Sequence, residues 1–203
     1  SICNTGAFVR CNATSKAIIE NPLEKEDYEK ITSYLGDYDL QIGIFTKDTL
    51  YNNEEVVNDG FRKDQDIMKL PRLKFKDFDD IEEKVARINF MGNQDELDKF
   101  YEQNKEALEK DYMTMRNETY SLEVLKKSSG KANSLKKLCE YLNIDLSNVA
   151  YFGDGANDVE AIKLAGLGIA MGNAEEETKK AADYVTSTND DAGLAEFLEK
   201  IFD

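Results

Sequence analysis

The sequence predicts an α/β fold: a parallel-sheet core built from both ends of the chain, with an α+β body inserted between them. Three observations predict it. From residue 131 onward, short apolar runs alternate with amphipathic helical stripes, as parallel strands covered on both faces require. Between about residues 22 and 120 that order gives way to a mixture of alternating strands and charged helices. One apolar run, Val149-Ala150-Tyr151-Phe152, leads directly into Gly153-Asp154-Gly155-Ala156-Asn157-Asp158, a strand-to-helix turn with two carboxylates, two glycines and an amide. The expected divisions are 1–21 and 121–203 for the core and 22–120 for the insert.

Taken in order, Ala7 to Val9 and Ala17 to Ile19 read as a hairpin across the polar stretch Asn12–Lys16. Glu24 to Tyr34 reads as a helix, and Leu40 to Phe45 and Thr49 to Tyr51 as strands. Phe61 to Asp80 is polar and low in pattern, with a break at Pro71. Lys84 to Met91 alternates and predicts a strand. Gln94 to Lys110 is a charged helix with Leu97, Phe100, Tyr101 and Leu108 on one side, and Tyr112 to Asn117 is a strand expected to pair in the same body. Lys131 to Leu142 carries a stripe of Ala132, Leu135, Leu138 or Cys139, and Leu142, with Ser128, Ser129 and Gly130 supplying cap and turn chemistry. After the 149–152 strand come a short helix around Val159, Ile162 and Ala165, a strand from Leu167 to Met171 and a helix from Glu175 to Ala182. Tyr184-Val185 is a brief strand, and Leu194, Phe197, Leu198 and Ile201 mark a closing helix.

Composition narrows the function. The 203 residues carry a net charge of −15, which argues against nucleic acid or an anionic membrane as the main partner. Three cysteines without a CxxC spacing predict free thiols and a reducing compartment. No apolar run approaches the ~18 residues of a spanning helix, and no signal peptide opens the chain, so the expected location is cytoplasmic. Histidine is absent, which removes Ser-His-Asp and Cys-His catalysis and favours carboxylates with a hard cation such as Mg²⁺. Ser1 in place of a starting Met predicts a chain cut from a longer one.

The 153–158 loop is the leading site. Ligands in open α/β sheets gather at the carboxyl ends of strands, so Asp154, ending a buried strand, faces the expected cleft and is placed to ligate a cation. Asp158, a turn further, reads as a second ligand or as the holder of a metal-bound water. Asn157 stands at a helix start, where exposed amides favour an anion. The plainer reading of the hexapeptide is an Asp-Gly turn followed by a helix-start carboxylate. Lys131 opens a helix just before this strand and could reach a phosphate in the same cleft; alone it would be a solvated lysine. Asn4 and Gly6, in Cys3-Asn4-Thr5-Gly6-Ala7, read either as turn residues or, for Asn4, as a substrate contact. Asn173 could face the cleft or cap a helix.

These residues carry a resemblance. The hexapeptide, with Leu167-Gly168-Ile169-Ala170-Met171-Gly172-Asn173-Ala174 and Ala181-Ala182-Asp183-Tyr184-Val185-Thr186, resembles the C-terminal part of the haloacid-dehalogenase superfamily, and its Cof-type phosphatases most of all. Asn189-Asp190-Asp191-Ala192-Gly193-Leu194, Ser129-Gly130-Lys131 and the opening Cys3–Ala7 are similar too. The likeness is specific from about 122 to 203 and architectural through the middle. It implies a Rossmann-like core with an inserted α+β cap, and a Mg²⁺-dependent hydrolase of small phosphomonoesters, sugar phosphates or phosphorylated cofactors such as pyridoxal phosphate or FMN. It also implies catalytic roles for Lys131 and Asp154, phosphate contacts by Lys131 and Asn157, and metal binding by Asp154, with Asp158 either a second ligand or a residue behind the ligands; the substrate contact expected of Asn4 rests on the reading of its own turn.

In that family an Asp nucleophile takes the phosphoryl group, and a second Asp two residues on protonates the leaving group. The Asp-x-Asp-Gly-Thr-like run that holds them is not in these 203 residues. Asp37-Tyr38-Asp39 has the spacing but lacks the continuation and lies in the insert. The expectation is therefore an active parent and a chain that is inactive alone. Two other functions compete. The phosphorylation domain of a P-type ion pump carries a similar loop, and the hydropathy of the flanking sequence separates it. A non-catalytic phospho-ligand module would bind metal and phosphate without burst kinetics.

Overall fold

The computed structural model describes residues 1–14 and 16–202, the side chains of residues 117 and 202 aside. The chain begins with β1 (Ile2–Cys3), β2 (Phe8–Arg10) and β3 (Ala17–Glu20), followed by α1 (Lys25–Thr32), β4 (Gln41–Phe45) and β5 (Leu50–Tyr51). Next come α2 (Asp59–Met68), β6 (Arg72–Leu73), β7 (Arg87–Met91), α3 (Gln94–Asp111), β8 (Tyr112–Glu118) and β9 (Ser121–Lys126). The last third holds α4 (Lys131–Leu142), β10 (Ala150–Gly153), α5 (Val159–Leu164), β11 (Leu167–Ala170), α6 (Glu176–Ala181), β12 (Tyr184–Val185) and α7 (Gly193–Phe202). They form two compact units, one of Ser1–Ile19 with Gly130–Asp203, the other of Glu20–Ser129.

In the first unit β10, β11 and β12 form a parallel sheet, with Tyr151 opposite Gly168 and Phe152 opposite Ile169. Side chains of successive strand residues point to opposite faces. Tyr151 accordingly joins the cluster of Leu135, Cys139 and Ala161 contributed by α4 and α5. Phe152 points the other way and meets Phe197 of α7 edge-on, with ring centroids 5.6 Å apart. Helices thus cover both faces. β1, β2 and β3 form a separate three-stranded sheet; the stretch that joins β2 to β3 includes residue 15, outside the described residues.

The second unit is a six-stranded sheet in the order β6-β5-β4-β7-β9-β8. One face of β7, Ile88 and Phe90, packs with Leu97, Phe100 and Leu108 of α3 and with Ile31 of α1. On the other, Met91 packs with Phe61 of α2, while Asn89 donates to Asp64 of α2 at 3.3 Å and to Ser121 at 3.0 Å. The Arg87 guanidinium lies 4.3 Å from the centre of the Phe45 ring and 3.7 Å from Glu123.

Three expectations need correction. Phe61 to Asp80 is not patternless: it contains most of α2, all of β6 and a short helical turn at Phe78–Asp80. β9 was not foreseen at all, and the partner of β8 is β9, which separates it from β7. That pairing also holds residues 121–129 in the second unit, so the later division falls after Ser129 and not after 120. Of the three residues expected to supply cap and turn chemistry before α4, Gly130, at φ 104°, takes the N-cap position, and Ser129 donates its backbone N–H to the Lys126 carbonyl at 2.8 Å in the turn before it.

Candidate active site

The site is assembled from the first unit. β10 ends at Gly153, and the chain turns through Asp154–Asp158 before α5 begins. Asp158 is 3% exposed and is the hub of this turn. Its Oδ2 accepts the backbone N–H groups of Asp154 and Gly155, both at 3.3 Å. Its Oδ1 accepts the Lys131 ammonium at 2.8 Å and the Tyr151 hydroxyl at 2.7 Å. The same ammonium donates to Asn157 Oδ1 at 2.9 Å. One carboxylate therefore ties the acidic turn to the start of α4 by charge-assisted hydrogen bonds.

Lys131 reaches this point because of a close approach before it. The opening segment Asn4–Gly6 makes a tight turn in which three successive residues have positive φ. Gly6, at φ 87°, lies so near that an added Cβ would stand 2.4 Å from the carbonyl carbon of Gly130. Thr5 accepts the Gly130 N–H at 3.2 Å, and the buried Ser134 hydroxyl donates to the Gly6 carbonyl at 2.6 Å. Only glycine tolerates both the dihedral and the contact. The turn fixes where α4 starts, and so where its first side chain projects.

Lys131, Tyr151, Asp154, Asp158, Met171 and Asn189 are among the residues lining one open cleft of about 730 Å³. It lies at the carboxyl ends of β10 and β11 and beyond β12, where ligands gather in open α/β sheets. Asp154 is exposed there, and Asn173 donates to its Oδ2 at 3.2 Å. Asn173 in turn accepts the backbone N–H of Asn189 at 3.0 Å. It bridges two loops and does not merely cap a helix.

Of the expected site residues, the structure brings Lys131, Asp154 and Asp158 to one cleft. Among the described residues, Asn4 and Asn157 do not line it: Asn4 belongs to the turn against Gly130, and the Asn157 carbonyl faces the Lys131 ammonium. Sequence reasoning passed over Tyr151 and Asn189. A tyrosine on a core strand reads as packing, although a half-buried phenol seeks a hydrogen-bond partner. Burial first, and then the bond to Asp158, hold this phenol well above its usual range.

Metal binding is a question of donors. Among the described residues no three Asp, Glu or Cys side chains cluster closely enough to hold an ion. The two oxygens of Asp158 already accept four protein donors, about the capacity of a carboxylate, so the direct-ligand role expected for it does not suit this geometry. Asp154 offers an exposed carboxylate. One such group suits Mg²⁺, which keeps waters and binds through one or two carboxylates plus substrate phosphates.

The sequence and the fold have relatives. A family model of haloacid dehalogenase-like hydrolases matches residues 1–198. A crystal structure of a haloacid dehalogenase-like hydrolase from Bacteroides thetaiotaomicron superposes with a TM-score of 0.86 at 31% identity, covering 98% of this chain and 74% of that one. Phosphatase YwpJ of Bacillus subtilis is 28% identical over 208 residues, which span 88% of this chain and 71% of its own. In the same organism, 5-amino-6-(5-phospho-D-ribitylamino)uracil phosphatase YitU is 37% identical over 81 residues, 40% of this chain and 30% of its own. Motifs, fold and family match agree, and the chain belongs to the haloacid dehalogenase-like hydrolases.

Proposed function

We propose that this chain is the phosphate- and Mg²⁺-binding part of a phosphatase for small phosphorylated metabolites. The observation that carries the reading is the convergence of Lys131 and Asp154 on one cleft, with Asp158 holding the lysine. Phosphoryl transfer asks mainly for positioning and charge neutralisation, which these groups supply without histidine. Lys131 is the cation for the phosphate, and Asp154, held by Asn173, is the ligand for Mg²⁺. Bound there, Mg²⁺ would neutralise charge on the transferring phosphoryl group. Asp158 acts by orienting Lys131 and the 154–155 backbone. YwpJ and YitU are named as phosphatases, which supports the activity class, and the phosphoribityl group in YitU's name supports a phosphorylated metabolite of that kind. The unit Glu20–Ser129 takes the role of the cap that selects the substrate.

Transfer through an aspartyl-phosphate needs a nucleophile that these 203 residues do not offer in an Asp-x-Asp-Gly-Thr setting. The chain by itself is thus expected to bind inorganic phosphate in the presence of Mg²⁺ and to hydrolyse no p-nitrophenyl phosphate. Calorimetric titration of phosphate with and without Mg²⁺, on wild type, Lys131→Ala and Asp154→Ala, tests the binding. Affinity should fall at least about tenfold in each variant, the loss of one charge-assisted contact. Equal binding by all three would overturn the roles, and turnover by the 203-residue chain would overturn the account of the nucleophile. Phosphate and Mg²⁺ binding with no turnover or phosphoenzyme burst in a longer form carrying an Asp-x-Asp-Gly-Thr run would favour a binding module.

A further inference from the structure

We infer that Tyr151 is a positioning residue for Lys131, acting through the Asp158 oxygen that both side chains share. The inference rests on the phosphatase reading and names a group that the family motifs do not include. Asp158 Oδ1 accepts the Tyr151 hydroxyl at 2.7 Å and the Lys131 ammonium at 2.8 Å. Oδ2 is held separately by the Asp154 and Gly155 N–H groups. The two backbone donors hold Oδ2 only at 3.3 Å, at the long end for such bonds, so the carboxylate keeps play about its Cβ–Cγ bond unless the shorter bonds to Oδ1 hold it. Lys131 cannot do that alone, because its ammonium ends a flexible stem and is meant to meet a phosphate. The phenol can. Its ring is packed against α4 and α5 in the cluster of Leu135, Cys139 and Ala161, on a strand whose register with β11 is set by Gly168 and Ile169.

The hydroxyl therefore approaches Asp158 from a rigid element, and a charged acceptor makes that bond one of the stronger kind. With Oδ1 held, the ammonium is confined between Asp158 and Asn157 at the rim of the cleft. Without the hydroxyl, the carboxylate can swing and the lysine samples positions that do not face a bound phosphate.

Tyr151→Phe keeps the ring and deletes only the donor, and Tyr151→Leu deletes the ring as well. Two readouts separate this inference from the reading beneath it. The first is the rate at which Lys131 is acetylated by a small anhydride, measured by mass spectrometry against the exposed Lys200. The second is the affinity for inorganic phosphate with Mg²⁺. We expect Lys131 in Tyr151→Phe to react several-fold faster, and phosphate to bind about five- to tenfold more weakly, as for one hydrogen bond to a charged group, with the thermal midpoint lowered by a few degrees. In the Lys131→Ala background the phenylalanine should cost no further affinity, since the two act as one unit. Unchanged acetylation of Lys131 in Tyr151→Phe overturns the inference, whatever the phosphate affinity does. A lower thermal midpoint with unchanged acetylation would mark the phenol as structural only. Faster acetylation in a wild-type background that binds no phosphate leaves the positioning intact and sinks the phosphatase reading instead.

Discussion

Asp158 shows how a residue's chemistry is set by its partners and not by its type. A carboxylate buried to 3% exposure is costly unless charge and hydrogen bonds compensate it. Here an ammonium, a phenol and two backbone amides do so, and the lysine is the only cation among them. Lys131→Met removes that cation and leaves the acid buried. The expected loss is about 3 kcal/mol, at the low end for a broken buried pair because the lysine side chain keeps 25% of its exposure. Adding Asp158→Asn should restore part of that loss, since no uncompensated charge then remains. Urea unfolding of the single and double variants checks this. A double variant weaker than Lys131→Met would show that the backbone amides, and not the lysine, require the charge.

At the scale of elements, legibility followed how each element is buried. β10, β11 and the helices around them were legible because both faces of a parallel sheet are covered, and such strands read as apolar runs. β9 was not, because one face of Ser121–Lys126 buries Ser121 and meets Arg87 through Glu123, so polar residues sit inside. α2 was hidden for a related reason: it buries Gly60, Phe61 and Asp64, too narrow an apolar stripe to show a period. Its start was nonetheless written in the sequence as Asn58, whose side chain accepts the Phe61 N–H at 2.9 Å. Asn58→Ala should cost about 1 kcal/mol, the usual worth of such a cap, and more if the bond from its Nδ2 to the Met91 carbonyl also matters. Chemical denaturation measures it, and a neutral result would mean that packing of Phe61 alone holds the helix. In the site, Asp154 and Lys131 were legible because loop and helix-start positions follow from the strand before them. Tyr151 was not, because its partner lies seven residues away across a turn whose geometry no periodicity records.

For the molecule as a whole, stability against pH depends on which carboxylates folding makes harder or easier to ionise. Asp64 is pushed up, first by burial; Arg87 opposes that shift, while Glu123 and Glu118 add to it and Asn89 donates to the carboxylate. A folded value above the ordinary one means the native state holds the proton more firmly than the unfolded chain. Its contribution is then full below the ordinary carboxylate range and is lost as pH rises through the folded value. Glu109 and Asp145 run the other way. Tyr101 chiefly lowers the first, and the backbone N–H of Ser147 chiefly lowers the second, so their contributions vanish as pH falls through their folded values. The two directions meet near the ordinary carboxylate range of about 4. Above it, of these three groups only Asp64 still changes its proton, and its contribution falls as pH rises; the range to look for that fall is about pH 4 to pH 8. Asp64→Asn keeps an acceptor for Asn89 and removes the ionisation. Urea midpoints taken across that range should fall in wild type relative to the variant as pH rises, with the two closest at the acid end and the variant at least as stable at pH 8. If the variant is instead the weaker protein at pH 8, attraction between Asp64 and Arg87 outweighs the burial penalty and the sign of the slope reverses.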